Sequence, residues 1–294
     1  MKESKIIALG FFDGVHLGHQ ALLKECVRLA GQLNISPGAI TFHRHPQSLF
    51  SNAVPLLLNG LEDRRRLLEQ YGMDQVITVP VSPQVMGMPW QAFLSQLIAE
   101  GAAGFVCGND FRFGSRGEGN AQLLAEFCQA RNLPCVIVPE QALEGCRISS
   151  THIRRLIEAG EMETAVRFLG HPHVLSGQVV RGQQLGRKIG IPTANLLIPQ
   201  GVLVPKFGVY ACRILTDQGE FSAVTNVGER PTVEGRGVTV EPWILDFDGD
   251  LYGKIVTLEF YKFLRPEKKF PTLQELQAEI QKNAAEVRNF FEKY

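Results

Sequence analysis

The sequence predicts an α/β protein in two parts, a doubly wound parallel sheet followed by an antiparallel sheet or small barrel with a terminal helix. Strand and helix patterns alternate through the first half, which is typical of a parallel sheet with helices on both faces. Short β-branched runs bounded by turns fill the second half. A length of 294 residues favours two domains.

The first half opens with a buried-strand pattern at 5–10 and a helical repeat of apolar residues at 19–33. Further strand patterns lie at 38–42, 73–81, 102–108 and 133–139. Helical patterns separate them at 61–72, 89–101 and 120–132. Ligands of such sheets bind at the carboxyl ends of the strands, so the residues that follow the first strand are well placed for a site.

The second half contains strand patterns at 174–182, 207–215, 220–228, 236–247 and 254–264. Residues 216–220 and 246–253 have the composition of hairpin turns. We assign the three aspartates at 246, 248 and 250 to the second turn. A long helical pattern at 272–294 ends the chain. Because Gly170 and Pro172 interrupt the pattern between the halves, the predicted domains are 1–168 and 173–294.

Composition narrows the class of protein. A hydrophobic content of 45% with 20% charged residues is typical of a globular protein. The formal net charge of zero argues against nucleic acid or an anionic membrane as a partner. No apolar run suits a membrane span or a signal peptide. The six cysteines form no Cys-x-x-Cys pair, which indicates reduced, mostly buried thiols and a cytoplasmic location.

The stretch ALGFFDGVHLGHQ, residues 8–20, places two histidines at the predicted start of the first helix. His16 and His19 are three residues apart and so share one side of the first turn. Free backbone N–H groups and the helix dipole attract anions there, and Gly14 and Gly18 allow a ligand to come close. Polar surface and a metal pair remain as alternatives, although only Asp13 offers a further local ligand.

This stretch resembles the His-x-Gly-His signature of nucleotidyltransferases, and in particular the Gly-x-Phe-Asp-Gly-Val-His-x-Gly-His form of bacterial bifunctional riboflavin kinase/FMN adenylyltransferases. The resemblance implies a nucleotidyltransferase domain in which His16 and His19 contact ATP phosphates during adenylyl transfer. It also implies an ATP-binding role for the residues around them: Gly10, Phe12, Asp13, Gly14 and Gly18.

A glycine-rich loop, GNDFRFGSRGEG at 108–119, follows the fourth strand. By itself it is typical of a surface loop. It is similar to the family's Gly-x-Asp-Phe-Arg-Phe-Gly motif, which implies that Asp110 and Phe111 bind flavin. The segment TFHRHP at 41–46 resembles the family's Thr-Phe-x-Pro-His-Pro and implies the same for His45, but Arg44 replaces the first proline.

The stretch RISSTHIRRLIEAG at 147–160 predicts a short capped helix that ends at Gly160. Arg154 lies near the helix start, where a cation opposes the dipole and an anionic ligand would relieve the conflict. An ordinary helix cap is the alternative. The stretch is similar to the superfamily's Ile-Ser-Ser-Thr-x-Ile-Arg motif, which implies that Ser150, Thr151 and Arg154 bind ATP phosphates.

In the second half, GQVVRGQQLGRKIGIPTANLLIP at 177–199 is dense in glycine, as expected of loops that wrap a ligand closely. Thr193 and Asn195 face the same side of an extended chain and carry oxygen ligands that suit Mg²⁺ or Mn²⁺. A plain turn is the alternative. The segment resembles the riboflavin kinase signature, which implies metal binding by these two residues and a kinase loop made by Gly182, Gly186, Arg187 and Gly190.

Glu241 lies in an apolar strand pattern, where an unpaired carboxylate is costly. A salt-bridged or edge-strand glutamate is the alternative. The segment 238–254 resembles the family's Val-Glu-x-His-x-x-Asp-Phe motif, which implies that Glu241 is the base of a kinase reaction. This chain has Pro242 and Trp243 where the motif has a variable residue and histidine, and the proline favours extended backbone at Glu241.

Six motifs in family order imply a six-stranded barrel kinase after the nucleotidyltransferase domain. The implied function is ATP-dependent phosphorylation of riboflavin to FMN and adenylylation of FMN to FAD with release of pyrophosphate. The implied partners are riboflavin, FMN, FAD, ATP and ADP, with Mg²⁺ or Mn²⁺ as cofactor. The alternatives are an enzyme with one surviving activity and a flavin- or nucleotide-binding regulator without turnover. Oligomeric state is not predicted.

Overall fold

The computed structural model describes residues 3–51, 53–182, 186, 190–232 and 235–294. They form two compact units, Met1–Leu57 with Leu61–Ser150, and Leu58–Gly60 with Thr151–Tyr294. The short segment 58–60 belongs with the second unit, where the Asn59 amide donates a 3.1 Å hydrogen bond to the carbonyl oxygen of Val174.

The first unit is built on a five-stranded parallel sheet with strand order β3-β2-β1-β4-β7. Its strands are β1 Lys5–Leu9, β2 Ser36–Phe42, β3 Gln75–Val79, β4 Ala102–Gly108 and β7 Cys135–Val138. Two small antiparallel pairs join β5 Arg112–Phe113 with β6 Gly119–Asn120, and β8 Ala142–Leu143 with β9 Cys146–Arg147. The central β1 pairs with β2 and β4 and is buried throughout, so the loop after it lies at the middle of the sheet. The predicted parallel sheet is confirmed.

Helices connect these strands as the periodicity predicts. They are α1 Leu17–Leu33, α2 Leu61–Gln70, α3 Pro83–Met86, α4 Trp90–Ala99 and α5 Ala121–Gln129. The buried side of α1 contains Leu22, Leu23 and Cys26. Residues of α4 and α5, including Leu94 and Leu124, pack with strand residues in one apolar core. No helix among the described residues combines the length and apolarity needed to cross a membrane.

The second unit is a closed six-stranded barrel with strand order β10-β11-β14-β13-β12-β15. Its strands are β10 His173–Val180, β11 Asn195–Leu197, β12 Gly208–Thr216, β13 Gly219–Thr232, β14 Gly235–Ile244 and β15 Ile255–Arg265. All neighbours pair antiparallel. Closure removes the exposed edges that an open sheet of this size would have. The predicted barrel is confirmed, and so is the turn at 216–220, which joins β12 to β13.

The second predicted hairpin turn, at 246–253, is wrong. It connects β14 to β15, and these strands are not neighbours in the barrel. Closure pairs β14 with β11 and β13 instead, so the segment is a longer connection. Its aspartate and glycine residues serve local bends: Asp246 has φ 57°, and the Asp250 carboxylate accepts a 2.9 Å hydrogen bond from the backbone N–H of Tyr252.

Three further helices belong mainly to this unit: α6 Ser150–Ala159, α7 Met162–Leu169 and α8 Leu273–Phe291. By its contacts the second unit includes Thr151–Tyr294, and α7 packs on β10 and β15. The domain bounds 1–168 and 173–294 stay a prediction. Thr272 caps α8 by accepting a 3.2 Å hydrogen bond from the backbone N–H of Glu275. Ala284 and Val287 of α8 pack on the barrel, so the terminal helix is part of its core.

We expect the barrel to lose stability in acid because of His173 on β10, which is 1% exposed. Burial, followed by the neighbouring His171, lowers the pKa of His173 to about 4. An unfolded histidine titrates near 6.5, so the folded state favours the neutral ring. The contribution of His173 to the free energy of unfolding is full above pH 6.5. It falls by roughly 3 kcal/mol as the pH drops towards 4.

Urea unfolding of a Trp90→Phe background at pH 7, 6, 5 and 4 measures this effect, because Trp243 in the barrel is then the only tryptophan. The free energy of unfolding is expected to fall less steeply with acid in a His173→Leu variant on the same background. An identical pH dependence in the two proteins would contradict the assignment.

Candidate active sites

The loop between β1 and α1 is folded by three left-handed residues. Phe12 has φ 58°, Gly14 has φ 83° and Val15 has φ 39°. Two of them are not glycine, and such conformations persist only where the surroundings hold them. Phe12 and Val15 are fully buried, and this anchoring fixes the course of the loop at the carboxyl end of the central strand.

His16 and His19 lie together at the start of α1, as the spacing predicts. Their rings stack with centroids 3.7 Å apart and planes 13° apart. His16 is the N-cap residue, and its Nδ1 accepts a 3.3 Å hydrogen bond from the backbone N–H of His19. That acceptor role leaves the proton of a neutral His16 on Nε2. The edge of Phe12 packs 5.3 Å from the His19 ring.

His19 is held in its neutral form. Burial first, and then the nearby His16 and Arg64, lower its pKa well below the ordinary value. Its Nδ1 is buried and has no hydrogen-bond partner among the described residues. Neutrality is consistent with the stacking, because two imidazolium rings at this separation would repel each other. A neutral imidazole still offers one N–H donor to a phosphate oxygen.

The glycines around this loop are required by its own packing. A Cβ atom on Gly10 would lie 2.8 Å from the ring of Phe12, and one on Gly18 would lie 3.2 Å from the ring of His16. The small size of Gly18 also makes room for the imidazole of His16. The approach of a ligand at Gly18 stays a prediction.

Asp13 connects the loop to the third motif. It is buried, and its carbonyl oxygen accepts a 2.8 Å hydrogen bond from the hydroxyl of Ser150, the first residue of α6. Thr151 and Arg154 follow on α6, where Thr151 is exposed and Arg154 is half-buried. Ser150 therefore contacts the loop that carries the histidines, and the phosphate-binding roles of Ser150, Thr151 and Arg154 stay predictions.

The segment after β2 lies beside the same loop. His45 packs edge-on against Phe11 at 5.2 Å, and its Nδ1 accepts a 3.1 Å hydrogen bond from the backbone N–H of Gln47. Arg44, which replaces the family's proline, donates a 3.1 Å hydrogen bond to the carbonyl oxygen of Val81. The substitution thus supplies a side-chain anchor for the segment in place of the rigidity of proline.

In the loop after β4, Asp110 makes charged contacts and Phe111 makes an aromatic one. Asp110 is exposed and receives a 2.6 Å hydrogen bond from Arg147, which also pairs with Glu140 at 2.9 Å. Phe111 stacks on Phe113 with centroids 5.6 Å apart. Asp110 is thereby held by the β8–β9 hairpin, and flavin binding by Asp110 and Phe111 stays a prediction.

Sequence reasoning missed Arg64, the first of three consecutive arginines in the helical pattern at 61–72. Arg64 is 0% exposed. Its position three and four residues before Leu67 and Leu68 puts it on the buried side of α2. That spacing is the signal that could have identified it.

The barrel carries two cavities that meet at Thr193. One has a volume of about 440 Å³ and is lined by Thr193, Glu241 and Trp243, and by residues of α8. The other has a volume of about 650 Å³ and is lined by Thr193, Arg181 and Tyr252, among others. A residue shared by two cavities is suited to a reaction between their occupants.

The Pro-Thr-Ala-Asn motif is held beside Glu241 by backbone pairing. The Ala194 N–H donates a 2.9 Å hydrogen bond to the carbonyl oxygen of Pro242. Asn195 opens β11 and pairs with Val180 of β10. Pro242 thus supplies a carbonyl acceptor to this motif. The N–H group that a proline lacks takes no part in that hydrogen bond.

The glycines of the kinase loop are explained in part by sterics. A Cβ atom on Gly182 would collide with the amide of Asn195, and one on Gly186 with the carbonyl oxygen of Ile191. Gly190 has φ 70°, which favours glycine. Arg187 lies outside the described residues.

Glu241 faces Asn226 across the β13–β14 pairing, and both line the 440 Å³ cavity. Trp243 lies two residues on and also packs in the barrel core with Val224. Arg265 lines the same cavity and is oriented by a 3.1 Å hydrogen bond from its Nε to Asn283 of α8. Arg265 was not identified from the sequence. Asn226 lies in the segment 225–233, which resembles the family's Asn-Val-Gly-x-x-Pro-Thr motif and was assigned to the barrel without a role.

Comparison with known proteins agrees with this two-part architecture. A family model described as FAD synthetase matches residues 1–152, and one described as riboflavin kinase matches residues 169–291. The bifunctional riboflavin kinase/FMN adenylyltransferase of Listeria monocytogenes is 36% identical over 99% of this chain and 93% of its own length. The protein of the same name from Escherichia coli K12 is 34% identical over 99% of this chain and 94% of its own length.

A solved structure from Streptococcus pneumoniae has the same fold. It superposes with a TM-score of 0.87 at 29% identity and covers 98% of this chain and 95% of its own. That protein is called a macrolide-efflux protein. The likeness extends over both units of the present chain.

Proposed function

The chain belongs to the family of bifunctional riboflavin kinase/FMN adenylyltransferases, and we propose that its barrel phosphorylates riboflavin and its parallel-sheet unit adenylylates the FMN formed. The substrates are riboflavin, FMN and ATP, and the products are FMN with ADP and FAD with pyrophosphate. The observation that carries the proposal is the pair of barrel cavities that share Thr193 beside Glu241.

In the kinase reaction, the terminal ribityl hydroxyl of riboflavin attacks the γ-phosphorus of ATP. The bond from that phosphorus to the β–γ bridging oxygen breaks, and ADP leaves. Glu241 accepts the hydroxyl proton as general base. Flavin occupies the 440 Å³ cavity and ATP the 650 Å³ cavity, so the hydroxyl and the γ-phosphate meet near Thr193.

Thr193 and Asn195 fit a Mg²⁺ or Mn²⁺ ion. A hydroxyl and an amide oxygen are hard ligands, and such ions take their remaining ligands from water and phosphate. The Asn195 amide occupies the space that a Cβ atom at position 182 would take, so glycine there is what allows the amide its place. The ion would neutralise phosphate charge as the γ-phosphoryl group is transferred.

In the adenylyl transfer, a phosphate oxygen of FMN attacks the α-phosphorus of ATP. The bond from that phosphorus to the α–β bridging oxygen breaks, and pyrophosphate leaves. His16, His19 and Arg154 hold the phosphates, and the imidazole N–H groups stabilise the charge that develops on their oxygens. Positioning and charge stabilisation supply most of the rate. His45, Asp110 and Phe111 bind the flavin.

The direct test is incubation of the purified chain with riboflavin, ATP and Mg²⁺, followed by chromatographic separation of the flavins. We expect FMN first and FAD after it. FMN alone would indicate a failed first unit and direct attention to Arg44. FAD from added FMN, without product from riboflavin, would indicate that Pro242 and Trp243 have silenced the barrel. If neither FMN nor FAD forms, the result would favour a binding protein without turnover. The cytoplasmic location stays a prediction.

A further inference from the structure

Arg64 is a buried cation at the carboxyl ends of two neighbouring strands, and the mechanism above gives it no role. Its Nη2 donates a 2.6 Å hydrogen bond to the carbonyl oxygen of Phe42, the last residue of β2. Its guanidinium carbon lies 4.5 Å from the ring centroid of Phe11, in the loop after β1. One side chain from α2 therefore joins the end of β2 to the loop that carries the two histidines.

The charge of Arg64 also acts on that loop. Burial lowers the Arg64 pKa to about 10, and Asp13 acts in the opposite direction, so the guanidinium stays protonated at neutral pH. The positive charge in turn contributes to the lowered pKa of His19, after burial and His16. The groups that act on His19 are thus His16, the N-cap residue of its helix, and Arg64 of α2.

Stability does not explain an arginine at this position. Its Nε and Nη1 are buried without a hydrogen-bond partner among the described residues. Buried donors without partners are costly, and an apolar side chain of similar volume would often serve the fold as well. Arg66 on the same helix is exposed and pairs with Asp63 at 3.0 Å, which is the ordinary arrangement for a helical arginine.

We propose that Arg64 is a positioning residue for adenylyl transfer, which holds the loop from Phe11 to Asp13 against β2 and keeps a fixed positive charge beside His19. The inference rests on the function proposed for the first unit. Because the loop contacts of Arg64 end at Phe11 and the histidines follow on the same loop, a displaced Arg64 would displace the phosphate-binding groups. The neighbouring charge adds to burial and His16 in favouring a neutral His19, which suits the stacked pair.

The test compares full-length Arg64→Met and Arg64→Lys with Arg65→Met, a matched control on the next residue of α2. FAD formation from FMN, ATP and Mg²⁺ is measured, and riboflavin phosphorylation on the same preparations serves as the internal control. The histidine rings are titrated by NMR, and a His19→Gln variant identifies the His19 signal. Thermal melting reports on folding.

We expect Arg64→Met to lower kcat for FAD formation by about 100-fold, as a misplaced reacting group does, with KM for ATP changed by less than about threefold. The pKa of His19 should rise in this variant, because a nearby positive charge has been removed. Arg64→Lys keeps the charge, so its His19 titration should match the wild type while kcat falls about tenfold, because lysine lacks the planar fork of arginine. Arg65→Met should match the wild type throughout.

Unchanged FAD formation in Arg64→Met would overturn the proposal, and so would an unshifted His19 titration in that folded variant. If Arg64→Met does not fold, a wild-type rate in Arg64→Lys overturns it. Failure of the wild-type chain to form FAD would instead count against the proposed function, and the His19 titrations would still decide whether Arg64 acts on that ring.

Discussion

Replacing His19 with alanine is expected to lower the rate of FAD formation from FMN by about 10²–10³-fold, the usual cost of removing one donor to a developing charge. The rate of FMN formation from riboflavin should stay within about twofold, because the groups proposed for that reaction belong to the other unit and share no partner with His19. The structural reason is that His19 packs on His16 and Phe12 in the first unit, whereas Glu241 and Thr193 line a barrel cavity. Both rates are measured on one preparation by chromatography of the flavins.

A companion variant at His16 needs a different design, because this residue also caps α1. Loss of an N-cap destabilises a helix by about 1 kcal/mol, which would confuse a catalytic effect with a structural one. Asparagine is a good N-cap residue without an imidazole, so His16→Asn retains the cap and removes the ring. We expect it to lose FAD formation to a similar extent. Equal loss of FMN and FAD formation in either variant would contradict separate sites.

Replacing Glu241 with glutamine is expected to have the opposite selectivity. Glutamine keeps the shape of the side chain and cannot accept a proton as a carboxylate does, so riboflavin phosphorylation should fall by about 10²–10⁴-fold. FAD formation from added FMN should be unchanged, since none of its proposed groups lies in the barrel cavity. Initial rates are measured with riboflavin and, separately, with FMN as substrate.

The matched control is Glu220→Gln on β13 of the same barrel. Glu220 is exposed and pairs with Arg213 at 2.7 Å, and exposed ion pairs contribute little to stability. This variant should retain both rates. If the Glu241→Gln protein phosphorylates riboflavin at the wild-type rate, Glu241 is not the base. The remaining proposed groups of the barrel, Thr193 and Asn195, would then only position the nucleotide.

Much of the fold was predictable because it is encoded by local periodicity. The apolar spacing of α1 and the alternation of strands and helices depend on near neighbours in the chain, and both were correct. His16 and His19 were expected to lie together at the start of α1, and the structure places them there.

One error concerns the relation between distant segments. Residues 246–253 have the composition of a hairpin turn, yet barrel closure gives β14 and β15 other partners. The local signal for a turn was real, and closure of the barrel decided which strands pair.

The amino-acid sequence alone therefore determined the order of the elements, the two-part organisation and the residue types available for phosphate, flavin and metal binding, since each depends on spacing along the chain. Only the tertiary structure decided that Thr193 lies between two cavities, that Pro242 accepts from Ala194, and that Arg64 is buried beside Phe11. The reason is that burial and pairing depend on which remote segments pack together. The spacing of Arg64 before Leu67 and Leu68 marks the buried side of α2, but it does not show which ring will cover the guanidinium.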